Sequence, residues 1–184
     1  MVRNSPNVDL TIDSISVKEL AGNHAYQTTS ASRPILRQNA TTGAYYLAFD
    51  GSDDFLVTNS INFTSTDKVS LFAGVRKLSD AAAGCLVETG AGGIPGSISV
   101  FAPISTSGNY FFRIYGASGN DSLTATTFNA PITNVLSCSF DNSLDGVSNT
   151  VKPRINGSTP SLSLASNTAT PDKYGNLPLY IAIS

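Results

Sequence analysis

Apolar and polar residues alternate along this chain in short runs, and no long window carries a helical period. In KVSLFAGVRK (68–77), Val69, Leu71, Ala73 and Val75 fall on one face, and Ser70, Phe72, Gly74 and Arg76 on the other. NVLSCSFD (134–141) sets Leu136, Cys138 and Phe140 against Val135, Ser137 and Ser139. NYFFRIYG (109–116) is aromatic on both faces, and PLYIAIS (178–184) is rich in β-branched and aromatic residues. Turn-forming clusters fall between these runs: DGSDD, AGGIPG, ASGND, DNSLDG, ING and KYGN. Many short strands with turns about every ten residues predict an antiparallel sandwich or jelly roll.

The first 45 or so residues are less regular. SVKELAG (16–22) reads as a turn of helix, and NHAYQTTSASRPIL as an extended arm whose Pro34 breaks strand pairing except on an edge. At the other end PLYIAIS reaches Ser184 in mid-strand, and a sandwich strand without a successor suggests that a piece is missing.

Composition narrows the function. The 184 residues suit one domain with a substantial core, and 41% hydrophobic residues, with nine Phe and seven Tyr, argue against disorder. Only 13% are charged, against roughly 25% in an ordinary domain, so Ser, Thr and Asn keep the surface wet. The net charge of −2 and scattered Lys and Arg give no basis for nucleic-acid binding. MVRNSPNVDLTIDSIS has no apolar run and reads as neither secretory signal nor anchor, and no stretch is apolar enough for a membrane helix. Cys85 and Cys138 lie in apolar strand-like runs and read as small buried hydrophobes. The sequons at Asn39, Asn62, Asn120 and Asn156 are those expected by chance in so Asn-, Ser- and Thr-rich a chain.

FDGSDDFLVT (49–58) holds three aspartates between two apolar runs. Phe49, Phe55 and Val57 are placed toward the core and Asp50–Asp53 in a turn, where Asp bonds nearby amides and Gly accepts positive φ. The alternative is a calcium site on Asp50, Asp53 and Asp54. The sixth position from Asp50 is Phe55 and the twelfth Ile61, which fails the EF-hand pattern, so the turn is preferred and no metal or cofactor is expected. No catalytic residue is assigned. Glycoside hydrolysis needs two carboxyls about one bond, and the chain has only two glutamates, Glu19 and Glu88, with no strand alternating acids. His24 is the only histidine, GxSxG is absent, and GAGG (90–93) lacks the residues of a phosphate loop.

The pieces NHAYQTTSASRPIL, YYLAFDGSDDFLVT, SINFTSTDKVSLFAGVRKLSDAA, NVLSCSFDNS, VKPRINGS and NLPLYIAIS resemble, in order and spacing, the concanavalin A-like, laminin-G-type jelly-roll domain of bacteriophage and prophage tail-associated and other virion proteins. The likeness runs from Gly22 to Ile183 and is looser between Gly90 and Ala130. Residues 1–21 would then be a lead-in, shorter than usual, and 22–184 a jelly roll lacking its last strands. The resemblance implies a virion location, virion-protein partners and a homo-oligomer. On that footing the expected function is non-enzymatic binding of host-surface glycans through loops and an open sheet face. Asn109, Arg113, Tyr115, Asn120 and Asp121 are the expected ligand residues, with Phe111, Arg113 and Tyr115 facing solvent because of the arginine. The alternative is a purely structural decoration or assembly domain, and a glycoside hydrolase comes a distant third.

Overall fold

The computed structural model describes residues 21–90 and 92–182, so most of the expected helical turn at 16–22 and of the lead-in lies outside the described residues. The chain is all-β, with fifteen short strands among the described residues. They are β1 (Ala25–Tyr26), β2 (Ile35–Gln38), β3 (Tyr45–Ala48), β4 (Leu56–Thr58), β5 (Ile61–Asn62), β6 (Lys68–Lys77), β7 (Cys85–Thr89) and β8 (Ile98–Phe101). There follow β9 (Tyr110–Tyr115), β10 (Asn120–Ala125), β11 (Ile132–Asp141), β12 (Val151–Ile155), β13 (Leu162–Asn167), β14 (Asn176–Leu177) and β15 (Leu179–Ile181). The one α-helical turn among the described residues, α1 (Val147–Thr150), leads directly into β12.

Eight strands form an antiparallel sheet in the order β1-β4-β15-β7-β8-β9-β10-β13, and β12-β11-β6 form a three-stranded sheet. The two pack face to face as a sandwich. Val100, Phe112 and Ile114 of the large sheet meet Leu136, Cys138 and Phe140 of the small one, all nearly inaccessible to water. Each large apolar side chain buried this way is worth about 1.5–3 kcal/mol. The strand at 68–77 has the expected extent and face: Val69, Leu71 and Val75 pack on the core, half-buried Ala73 shares their face, and Phe72 stays in solvent. Leu136, Cys138 and Phe140 likewise point inward from β11. The ING turn between β12 and β13 takes positive φ at both Asn156 and Gly157, the conformation for which that dipeptide is favoured.

Two local readings change. Phe49, Phe55 and Val57 are half-buried and outside the core, and register places Val57 opposite Tyr180 on the face turned away from it. The chain between Ala25 and Gln38 is not one arm: it pairs as β1, turns at Ser30–Ser32 and pairs again as β2 directly after Pro34. The strand at 179–181 has a neighbour on each side, β4 and β7, and is interior to the large sheet.

Polar groups beside Tyr110 at the rim of the core are matched. Lys77 is buried, its Nζ 2.6 Å from Asp80 Oδ1 and 5.1 Å from the centre of the Tyr110 ring. Asp80 Oδ2 accepts the Ala130 amide, and Asn134 Nδ2 donates to the Tyr110 hydroxyl at 2.9 Å. Removing Asp80 would leave the Lys77 charge buried without its partner.

Candidate functional site

Residues directly opposite one another in antiparallel strands share a face. The pairings Tyr180↔Glu88, Glu88↔Ser99, Ser99↔Arg113 and Arg113↔Ser122 therefore draw one row across the outer face of the large sheet. Cys85, Phe101, Phe111 and Thr124 form the next row, and Tyr115 and Asn120 lie on the other side. Arg113 is the centre of this surface. Its guanidinium carbon lies 4.8 Å from the centre of the Tyr115 ring, 5.6 Å from Phe111 and 5.7 Å from Phe101, and its Nε donates to Ser99 Oγ at 3.1 Å. Stacking among rings and one serine bond fix the plane of the fork. No carboxylate pairs with it among the described residues, so most of its five N–H groups remain for another acceptor.

Glu88 lies beside it under the Gly-rich turn after β7. A Cβ added at Gly92 would sit 3.1 Å from Glu88 Oε2, and one at Gly93 3.8 Å from the Tyr115 hydroxyl. Both glycines also have positive φ, so this close, left-handed turn needs them. Burial pushes the Glu88 carboxyl above its usual range, and the nearby Arg113 charge partly offsets this. The same burial, followed by the Glu88 charge, pushes the Cys85 thiol up to about 12, so Cys85 is no nucleophile at neutral pH.

The five residues expected to form a ligand site do not converge. Arg113, Tyr115 and Asn120 share the outer face. Asn109 lies just before the far end of β9, about 20 Å along the strand from Tyr115. Asp121 faces the core and is fully buried, its carboxylate accepting the Thr150 hydroxyl at 2.7 Å and the Ala169 amide at 3.0 Å. That correction has a simple cause: Asp121 neighbours Asn120, and adjacent residues of a strand point to opposite faces. The face also includes residues that the sequence reading did not assign, namely Phe101 and the buried Ser99, Ser122 and Glu88. Only strand register joins them, and the lone signal was a glutamate in an apolar run.

Asp50, Asp53 and Asp54 do come together, with carboxylate oxygens within 4.8 Å of one another. One oxygen of each is engaged, those of Asp50 and Asp54 within the turn and that of Asp53 by a residue distant in the chain. Asp50 Oδ1 accepts the Ser52 and Asp53 amides, Asp54 Oδ2 accepts the Asp50 amide, and Asp53 Oδ2 accepts the Ser32 hydroxyl. The Ser52 amide in particular holds the Asp50 carboxyl below its usual range. This is the bonding of a turn that closes on itself.

Glu88 is the only acid on the outer face of the large sheet among the described residues, so the paired carboxyls of a glycoside hydrolase are not found there. His24 precedes β1, which two strands, β4 and β15, separate from the strand of Cys85. No helix among the described residues is long and apolar enough to cross a membrane. Compared with known proteins, the chain matches no family model and no curated protein sequence.

Proposed function

We propose that the chain is a non-enzymatic bacteriophage virion module, on a tail fibre, spike or capsid surface, that binds host-surface glycans through the outer face of its large sheet. The observation that carries the binding reading is Arg113, held flat among Phe101, Phe111 and Tyr115 with unspent donors beside Glu88. Aromatic faces suit the C–H surface of a sugar ring, and a guanidinium fork with a neighbouring carboxyl suits its hydroxyl pairs. The virion placement is supported by the sequence resemblance alone. Weak single sites suffice in this setting, because an appendage presents several copies at once.

The test is glycan-array binding of the intact chain, with calcium and with a chelator, beside Arg113→Ala. Binding to one sugar class that Arg113→Ala weakens by about tenfold, one charged hydrogen-bonded contact, supports the reading. A silent array from folded protein overturns it. Loss on chelation would make the Asp50–Asp54 turn a metal site.

A second reading, a decoration or assembly domain, is favoured by the β2–β3 hairpin. Ile35, Leu36, Tyr45, Tyr46 and Leu47 are all exposed there, on both faces of two strands that pair with no other strand. Apolar surface of that kind marks a protein contact.

A further inference from the structure

Eight strands facing three leave the sides of the sandwich open. On the side where β12 and β13 are both edge strands lies a groove of about 330 Å³, whose floor includes Leu123, Val147, Val151 and Leu162. Leu164, opposite Leu123 and so on the core-facing side of β13, is 64% exposed because the small sheet does not reach it. Along the rim, Lys152 and Arg154 alternate on the solvent face of β12, and neither has a carboxylate partner among the described residues. Pro153 between them has no N–H, so this edge offers few backbone donors and side chains must supply the recognition.

An occupant that suits the groove is extended, apolar at every second position and acidic between. The chain contains one such run, VDLTID (8–13), in which Val8, Leu10 and Ile12 alternate with Asp9, Thr11 and Asp13. It lies outside the described residues.

We propose that residues 8–13 of a second copy pack beside β12, with Val8, Leu10 and Ile12 over the apolar floor and Asp9 and Asp13 against Lys152 and Arg154. Opposite charges on one face of adjacent extended segments attract, and the desolvated apolar face adds area. Reach favours another copy over the same one. The described chain enters the sandwich at β1, on the opposite edge of the large sheet from β13. Seven strand spacings span about 34 Å. The twelve residues from Asp13 to Ala25 extend at most about 43 Å, and their path must also round the sandwich. The groove is separate from the Arg113 face, so this contact stands or falls independently of glycan binding.

Charge reversal tests it on the full chain by sedimentation velocity over a concentration range, with circular dichroism confirming the fold of each variant. The wild-type chain is expected to self-associate, and either Asp9→Lys with Asp13→Lys, or Lys152→Glu with Arg154→Glu, to weaken association by about tenfold. Mixing the two variants restores complementary pairs, wild-type arm to wild-type groove and reversed arm to reversed groove, so a mixed oligomer should form where neither variant associates alone. A wild-type chain that stays monomeric, association indifferent to both reversals, or a mixture that does not combine overturns the proposal.

Discussion

Glu88 and Arg113 are two strands apart on one face, and the chemistry of that face depends on which of two opposing influences governs the carboxyl. Burial raises its pKa and Arg113 lowers it, with burial the larger. An acid whose pKa is raised on folding binds its proton more tightly in the folded state. Its contribution therefore favours the folded state below the ordinary value of 4.5 and is lost as pH rises from there through the folded pKa. Glu88→Gln removes that dependence. Thermal melts are expected to show the variant equal to the wild type near pH 4 and equal or more stable at pH 7. A variant markedly less stable at pH 7 would mean that the Arg113 charge outweighs burial. Cys85 and Cys138 were legible as buried hydrophobes from their apolar runs, and burial raises the pKa of both thiols. The partnership of Cys85 with Glu88 was not legible, because a β-bulge between Cys85 and Val87 sets which residues of that strand face outward.

Among the elements, the long alternating strands were the most readable. β6 and β11 pair over ten residues each, and the expected face of each meets the core. That predicts opposite outcomes for two phenylalanines on neighbouring strands. Phe140 is fully buried and Phe72 is 76% exposed. Phe140→Ala is expected to cost about 3–5 kcal/mol in denaturant unfolding, and Phe72→Ser less than about 0.5 kcal/mol. A comparable loss at Phe72 would show that a partner or another strand covers the outer face of the small sheet. The aromatic strand β9 was read half correctly. Tyr110, Phe112 and Ile114 are core as expected, yet Phe111 is also nearly buried, because Arg113 and Phe101 pack over it on the outer face. Alternation distinguishes the two faces of a strand; it does not reveal that long side chains on the solvent face cover one another.

Across the whole molecule stability is unevenly distributed. The strands β8, β9 and β10 each have two hydrogen-bonded neighbours and a packed face, whereas β2 and β3 bond only each other and expose both faces. An isolated two-stranded pair is marginal in water. Hydrogen exchange is expected to be fast at the pairing amides of Ile35–Gln38 and slow at those of Tyr110–Tyr115. Equal protection in the two would mean that the hairpin is covered in solution and would strengthen the assembly reading.

The sequence by itself determined the all-β class, the inward face of the long strands and the turn at Asp50–Asp53. Each follows from residues close together in the chain, through period-two alternation or a side chain bonding an amide two to four residues away. Tertiary structure alone decided which strands are neighbours, the width of eight strands against three, and the meeting of Glu88, Ser99, Arg113 and Ser122 in one row. It also turned Asp121 into the core and left Asn109 at the far end of β9. The reason is register: a slip of one residue moves every side chain of a strand to the other face, and pairing between strands distant in sequence sets it.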